Sequence, residues 1–146
     1  MALSAHDGAD RVDQMIILTE RLTELVAATA QAFEQHRPQA AVHQLEETSR
    51  LANIYRHETA RVRADPGLVN SAPMAQRTRL VRATEAFDAV LARQGRAIEA
   101  AKLVSEGLVR AIAEEVAAQR EQAAGYGPDA QGAKAPATAI TLNKRA

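Results

Sequence analysis

Between Pro73 and Pro128 the chain contains no proline, and strong helix formers fill nearly all of that stretch. Along it Leu80, Thr84, Phe87, Leu91, Gln94, Ile98, Ala101, Ser105, Leu108, Ile112 and Glu115 or Val116 recur at alternating spacings of four and three. That rhythm is one face of a helix, close to a coiled-coil seam. The spacing predicts one long helix over about 74–122, with Asn70 or Ser71 as its cap and Pro73 in its first turn. Gly95 and Gly107 lie inside it. Each costs about 1 kcal/mol relative to alanine, so bending or fraying is expected there. Gly125, Gly127 and Pro128 close the pattern.

Two shorter helices precede it. Met15, Leu18, Leu22, Leu25, Thr29 and Ala32 share one face and predict a helix over about 9–35, with Ser4 and Asp7 as a capping box. Pro38 ends that pattern and fits the first turn of a second helix over about 38–64. Its inner face reads Ala41, Leu45, Thr48, Ala52, Tyr55, Thr59 and Val62, widened by Leu51 and Ile54. Asp65-Pro66-Gly67 then breaks the helix, and Asp65–Ala72 reads as the one internal loop.

Composition agrees with a thin fold. Apolar residues make up 47% of the 146 residues and aromatics only 3%. Much of the apolar share is alanine, which buries little area. The expected fold class is all-α: an elongated antiparallel three-helix bundle or coiled coil over 1–124, with one long C-terminal helix. A flexible tail over 125–146 follows, rich in Ala, Gly and Pro and carrying a late apolar pair at Ile140 and Leu142.

The chemistry-bearing residues offer little that converges. There is no cysteine, which excludes disulfides and thiol catalysis. His6, His36, His43 and His57 show no paired metal-ligand spacing and read as surface histidines. Glu46-Glu47 and Glu114-Glu115 are adjacent carboxylates, which point about 100° apart on a helix and do not meet on one substrate. No enzyme, metal or cofactor is expected. The net charge of +0 argues against a dedicated nucleic-acid binder. Met15–Leu18 is too short to span a membrane, and acidic Asp7, Asp10 and Asp13 lie before it where a signal peptide would be basic. The expected location is the cytosol.

Two surface features remain. Arg56, Arg61 and Arg63 lead into the 65–72 loop, and Arg77, Arg79 and Arg82 lead out of it. With the second and third helices antiparallel, these six gather at one end, either as a solvated surface or as a patch for nucleic acid or an acidic partner. The second feature is length. A helix over 74–122 would rise about 72 Å, and its predecessors only about 40 Å each. About 30 Å of the long helix therefore has no partner in its own chain. That excess carries Leu103, Val104, Leu108, Ile112 and Val116 as an exposed apolar stripe, with Tyr126 beyond it as a turn residue or a partner contact.

The last third resembles the FlgN family of flagellar export chaperones. The resemblance is carried by Gln94-Gly95, by "AKLVSEGLVRAIAEEV", by Tyr126-Gly127-Pro128-Asp129-Ala130-Gln131-Gly132 and by the closing "ITLNKRA". It implies a non-catalytic, cytosolic, all-helical protein. Such a protein would bind C-terminal helical regions of hook–filament junction proteins of the FlgK/FlgL type and deliver them to the flagellar type III export apparatus. Carried over, the client site is Leu103, Val104, Leu108, Ile112, Val116 and Tyr126. The alternative from the residues themselves is a regulatory or structural bundle that forms a homodimer through the same stripe, with its basic end touching nucleic acid or an acidic protein.

Overall fold

The computed structural model describes residues 3–125 of the chain. Four α-helices follow in order: α1 (Gly8–Glu34), α2 (Leu45–Ala64), α3 (Gly67–Asn70) and α4 (Met74–Gly125), with a 3₁₀ segment at Pro38–Gln44. No strand occurs among the described residues. The chain divides into two units, Met1–Ala101 and Lys102–Ala146, and each is described by itself. The tail from Tyr126 onward, Ile140 and Leu142 included, lies outside the described residues.

The first unit is a three-helix bundle built around α1. Arg21 reaches Glu47 and Arg11 reaches Glu58, so α1 and α2 run antiparallel. Asp13 meets Gln76, Glu20 meets Arg79 and Glu34 meets Arg93, so α1 and α4 run parallel. α2 and α4 are therefore antiparallel, as the sequence suggested.

Every residue of the expected α1 face is buried: Met15, Leu18, Leu22, Leu25, Thr29 and Ala32. That face is half of the story. Val12, Ile16, Thr19, Val26 and Ala30 are buried beside it, and together the two sets cover about 200° of the helix. A helix wedged between two neighbours needs a surface that wide, whereas a seam for one neighbour does not. Leu18, Leu22 and Val26 pack with Phe87 into one cluster, and Val12 and Ile16 pack with Ala72 into another. Each fully buried aliphatic side chain of this kind contributes about 1.5–3 kcal/mol. Thr19 and Thr29 enter the apolar surface at little cost, because their hydroxyls donate to the carbonyls of Met15 and Leu25 in the preceding turn.

The N-terminal end of α1 departs from the expected capping. Ser4 is not the cap. Asp7 is the N-cap residue, its Oδ1 accepting from the Asp10 amide at 2.8 Å. The Asp10 carboxylate accepts in turn from the His6 amide at 2.9 Å, which together with the Gln14 side chain holds its pKa below the usual carboxylate range. Gly8 has a specific reason to be glycine: a Cβ there would lie 2.1 Å from Ser71 Oγ and 3.1 Å from the Leu68 carbonyl. At the other end Arg37 donates to the Ala32 carbonyl at 2.8 Å and His36 to that of Phe33 at 3.1 Å. That is a Schellman motif with His36 in the left-handed position at φ 57. His36 is thus a helix terminator, a role its side chain does not reveal.

The second helix is split. Residues 38–44 wind as 3₁₀, and only Leu45–Ala64 is α-helical. Leu45, expected inside, is 57% exposed, while Ala41 is buried. The 65–72 segment is not a plain loop: Gly67–Asn70 forms a helical turn. Asn70 therefore ends one helix and does not cap the next.

On α4 the inward face is offset by about 50° after Phe87. Phe87 meets Tyr55 edge-on, with centroids 5.1 Å apart. From there Val90, Gln94, Ala97 and Ala101 turn inward, while Leu91 and Ile98, expected in the core, are 40% and 42% exposed. Arg93 bridges α4 and α1 beside this face. Its Nε donates to Glu34 at 3.1 Å, so the guanidinium spans from α4 to the end of α1. A similar fork joins Arg21 to Glu47 at 2.9 and 3.0 Å. These guanidinium hydrogen bonds hold the carboxyls of Glu34 and Glu47 below their usual range. Depressed carboxylate pKa values contribute stability above the unfolded-state pKa, and that contribution is lost as pH falls through the folded value. Both pairs are partly solvated, so salt weakens them as well.

The most buried charge is Glu58, at 0% exposure. Its carboxylate accepts from Arg11 at 2.7 Å, from the Leu3 amide at 2.9 Å and from Arg61 at 3.3 Å. Arg11 is itself buried. Removing one partner of such a pair leaves an uncompensated charge inside, which typically costs about 3–5 kcal/mol. Glu58→Leu alone should lose about that much in urea denaturation, and Arg11→Met combined with Glu58→Leu should recover most of the loss. A loss in the double variant equal to the sum of the Arg11→Met and Glu58→Leu losses would show that the two charges are not coupled. At the end of α1, stability should rank Gly above His above Val at position 36, since a left-handed conformation costs a residue with a Cβ about 1–2 kcal/mol. Any other order would contradict the left-handed assignment.

Candidate functional site

The second unit, Lys102–Gly125 among its described residues, presents side chains to solvent almost everywhere. Every residue from Lys102 to Gln119 is exposed. Leu103, Val104, Leu108, Val109, Ile112 and Val116 are exposed large apolar residues, at 40–67%. The stripe expected from the sequence is thus open to solvent.

Its membership differs from the expectation. At about 100° per residue, Leu108, Val109, Ile112 and Val116 fall within an arc of about 100°. Leu103 lies about 180° from Ile112, and Val104 lies about 80° away from it, at the edge beyond Leu108. The expected site therefore keeps Leu108, Ile112 and Val116, gains Val109 and loses Leu103 from the shared face. Val109 was legible, since it stands four after Ser105 and three before Ile112. Tyr126 lies outside the described residues. Gly107 sits on the far side of this helix, and a Cβ there would meet nothing within 4 Å. The helix runs unbroken through Gly95 and Gly107, where the sequence suggested bending or fraying.

The basic end belongs to the first unit. The antiparallel course of α2 and α4 brings Arg61 and Arg63 to the same end as Arg77, Arg79 and Arg82. They do not form a patch of six free cations. Arg61 faces the buried Glu58 at 3.3 Å, and Arg79 faces Glu20 at 3.3 Å. Arg56 donates to the Asn53 side chain further along α2. The buried Arg77 Nε has no hydrogen-bond partner among the described residues. Arg63 and Arg82 are exposed. Glu58 is fully buried, so it is not a surface charge that offsets this end. The signal was available: Glu58 stands three after Tyr55 and four before Val62, and Arg11 stands four before Met15. Opposite charges at inward positions on two paired helices point to each other.

One groove also lies between α1 and α2, about 360 Å³ in volume, lined by Leu3, Ile17, Leu18, Leu51 and Ile54 and edged by the Arg21–Glu47 pair. No group of three or more His, Cys, Asp or Glu is placed to hold a metal ion among the described residues. The four histidines are all exposed. No helix among the described residues is long and apolar enough to cross a membrane.

The chain is 60% identical over 149 aligned residues to the flagellar basal-body protein FlbY of Caulobacter vibrioides, with 100% of both chains covered. No protein-family model and no solved structure matches it. An identity this high across the whole of both chains leaves no part of the fold unshared, and the chain belongs to the family of the flagellar basal-body protein FlbY.

Proposed function

We propose that the protein is a non-catalytic flagellar accessory factor of the export-chaperone type, acting in the cytosol. It holds a helical segment of a hook–filament junction protein of the FlgK/FlgL type against the face formed by Leu108, Val109, Ile112 and Val116. The observation that carries this reading is that face itself. Four large aliphatic side chains lie side by side in water on a well-formed helix. An amphipathic helix of a partner recognises such a surface through anchors at helical spacing, and no catalytic group is needed. The full-length likeness to a flagellar basal-body protein supports a flagellar setting. The resemblance of the last third to FlgN-type chaperones supports the client class.

The relative's name favours a second reading, in which the protein works at the basal body itself and the client is a basal-body component. The two readings differ in what the same face captures. The basic end is a lesser candidate for either partner. Arg61 and Arg79 already face carboxylates, which leaves Arg63 and Arg82 as its exposed cations without an ion pair among the described residues.

The test is titration of purified junction-protein C-terminal regions onto the full chain. Replacing Leu108 and Ile112 with Asp should weaken binding by roughly 100-fold or more, as expected for two central apolar anchors at about 2 kcal/mol each. Helical content by circular dichroism should stay nearly unchanged, because both side chains are exposed. Unchanged affinity in the double variant would remove the face from the binding site. Arg63→Gln with Arg82→Gln should leave affinity and its salt dependence unaltered if the basic end is only a solvated surface.

A further inference from the structure

We propose that without a client this face is covered by a second copy of the chain, paired with it as a parallel, in-register two-helix coiled coil over residues 105–120. The proposal rests on the same reading of the face as a docking surface and adds its resting occupant. Ser105, Val109, Ile112, Val116 and Gln119 follow the four–three rhythm of a coiled-coil seam, and all five are exposed.

Charge and layer matching select the orientation. In a parallel in-register pair each seam residue meets itself, so Val109, Ile112 and Val116 form three successive apolar layers with polar layers at Ser105 and Gln119 on either side. Glu115 then flanks the seam on one side and Arg120, five residues later, on the other. Residues related in this way face each other across a parallel pair, which gives two Glu115–Arg120 pairs by symmetry. In the antiparallel pairing that seats Ile112 on Val116, Val109 instead meets Gln119 of the other copy, and the two Glu115 carboxylates approach each other. The parallel form therefore keeps apolar on apolar and leaves no like charges opposed along the flanks. Client capture would then be an exchange of one helix for another on the same face.

The natural chain has no cysteine, so a single introduced thiol reports on this contact without background. Full-length Ser105→Cys protein, oxidised mildly in a glutathione buffer, should form a covalent dimer. Gly107→Cys, on the opposite side of the helix, should stay largely monomeric under the same conditions. Arg120→Glu should lower the cross-linked fraction of the Ser105→Cys chain several-fold, and adding Glu115→Arg should restore it. Equal cross-linking from positions 105 and 107 would overturn the proposal. So would cross-linking of Ser105→Cys only when mixed with Ala123→Cys, the antiparallel neighbour. If Ser105→Cys stays monomeric while junction-protein binding is intact, self-pairing is wrong and client capture stands. If it cross-links and no client competes, the client reading fails and the self-pair stands.

Discussion

The bundle depends on a carboxylate that water never reaches. Glu58 is fully buried on α2, and its two oxygens are satisfied by Arg11 from α1, by the backbone amide of Leu3 and by Arg61 from its own helix. An unpaired charge at that site would be costly, and the observed register of α1 on α2 brings Arg11 to Glu58. An alanine-rich chain has few large side chains with which to specify register by shape. Here a buried ion pair supplies that specificity, and the partly solvated forks from Arg21 and Arg93 repeat the logic with less energy at stake.

The two units spend their apolar residues in opposite ways. In the first, α1 buries Ile16, Leu22, Leu25 and Val12 almost completely, and α4 adds the Phe87 ring against Tyr55. In the second, equally large side chains stand in solvent. Lone exposed leucines are ordinary, but four neighbours on one helical face, in a segment without any buried residue between Lys102 and Gln119, are not. The contrast within a single chain is the physical basis for assigning binding to the second unit and structural support to the first.

Much of this was legible before any coordinates. Pro38, Asp65-Pro66-Gly67 and Pro73 punctuate the chain where the helices change, and the α1 seam is buried residue for residue. Three things were not legible, each for a physical reason. Apolar periodicity chose Leu91 and Ile98 for the core, but Val90 and Ala97 take the inward places beside Gln94 and Ala101, an offset of about 50°. Residue type hides the burial of Glu58 and Arg11, because charges are almost never fully buried unless paired, and only their inward spacing on two helices hints at it. His36 looked like a surface histidine and proves to hold the left-handed turn that ends α1, a backbone role that any hydrogen-bonding pattern would show but no side-chain pattern would. On the exposed apolar stripe the sequence reading joined residues from two sides of the helix, taking Leu103 in and leaving Val109 out.

The central claim is that the second unit is the docking surface, and hydrogen–deuterium exchange on the full chain tests it most directly. With a junction-protein C-terminal region added, amides across 105–120 should gain protection, because a bound helix suppresses local opening of the segment it covers. The bundle core around Leu22 and Glu58 should already exchange slowly and change little. Protection appearing instead around the groove lined by Ile17, Leu51 and Ile54, with 105–120 unaltered, would contradict the account and move the binding site to the first unit.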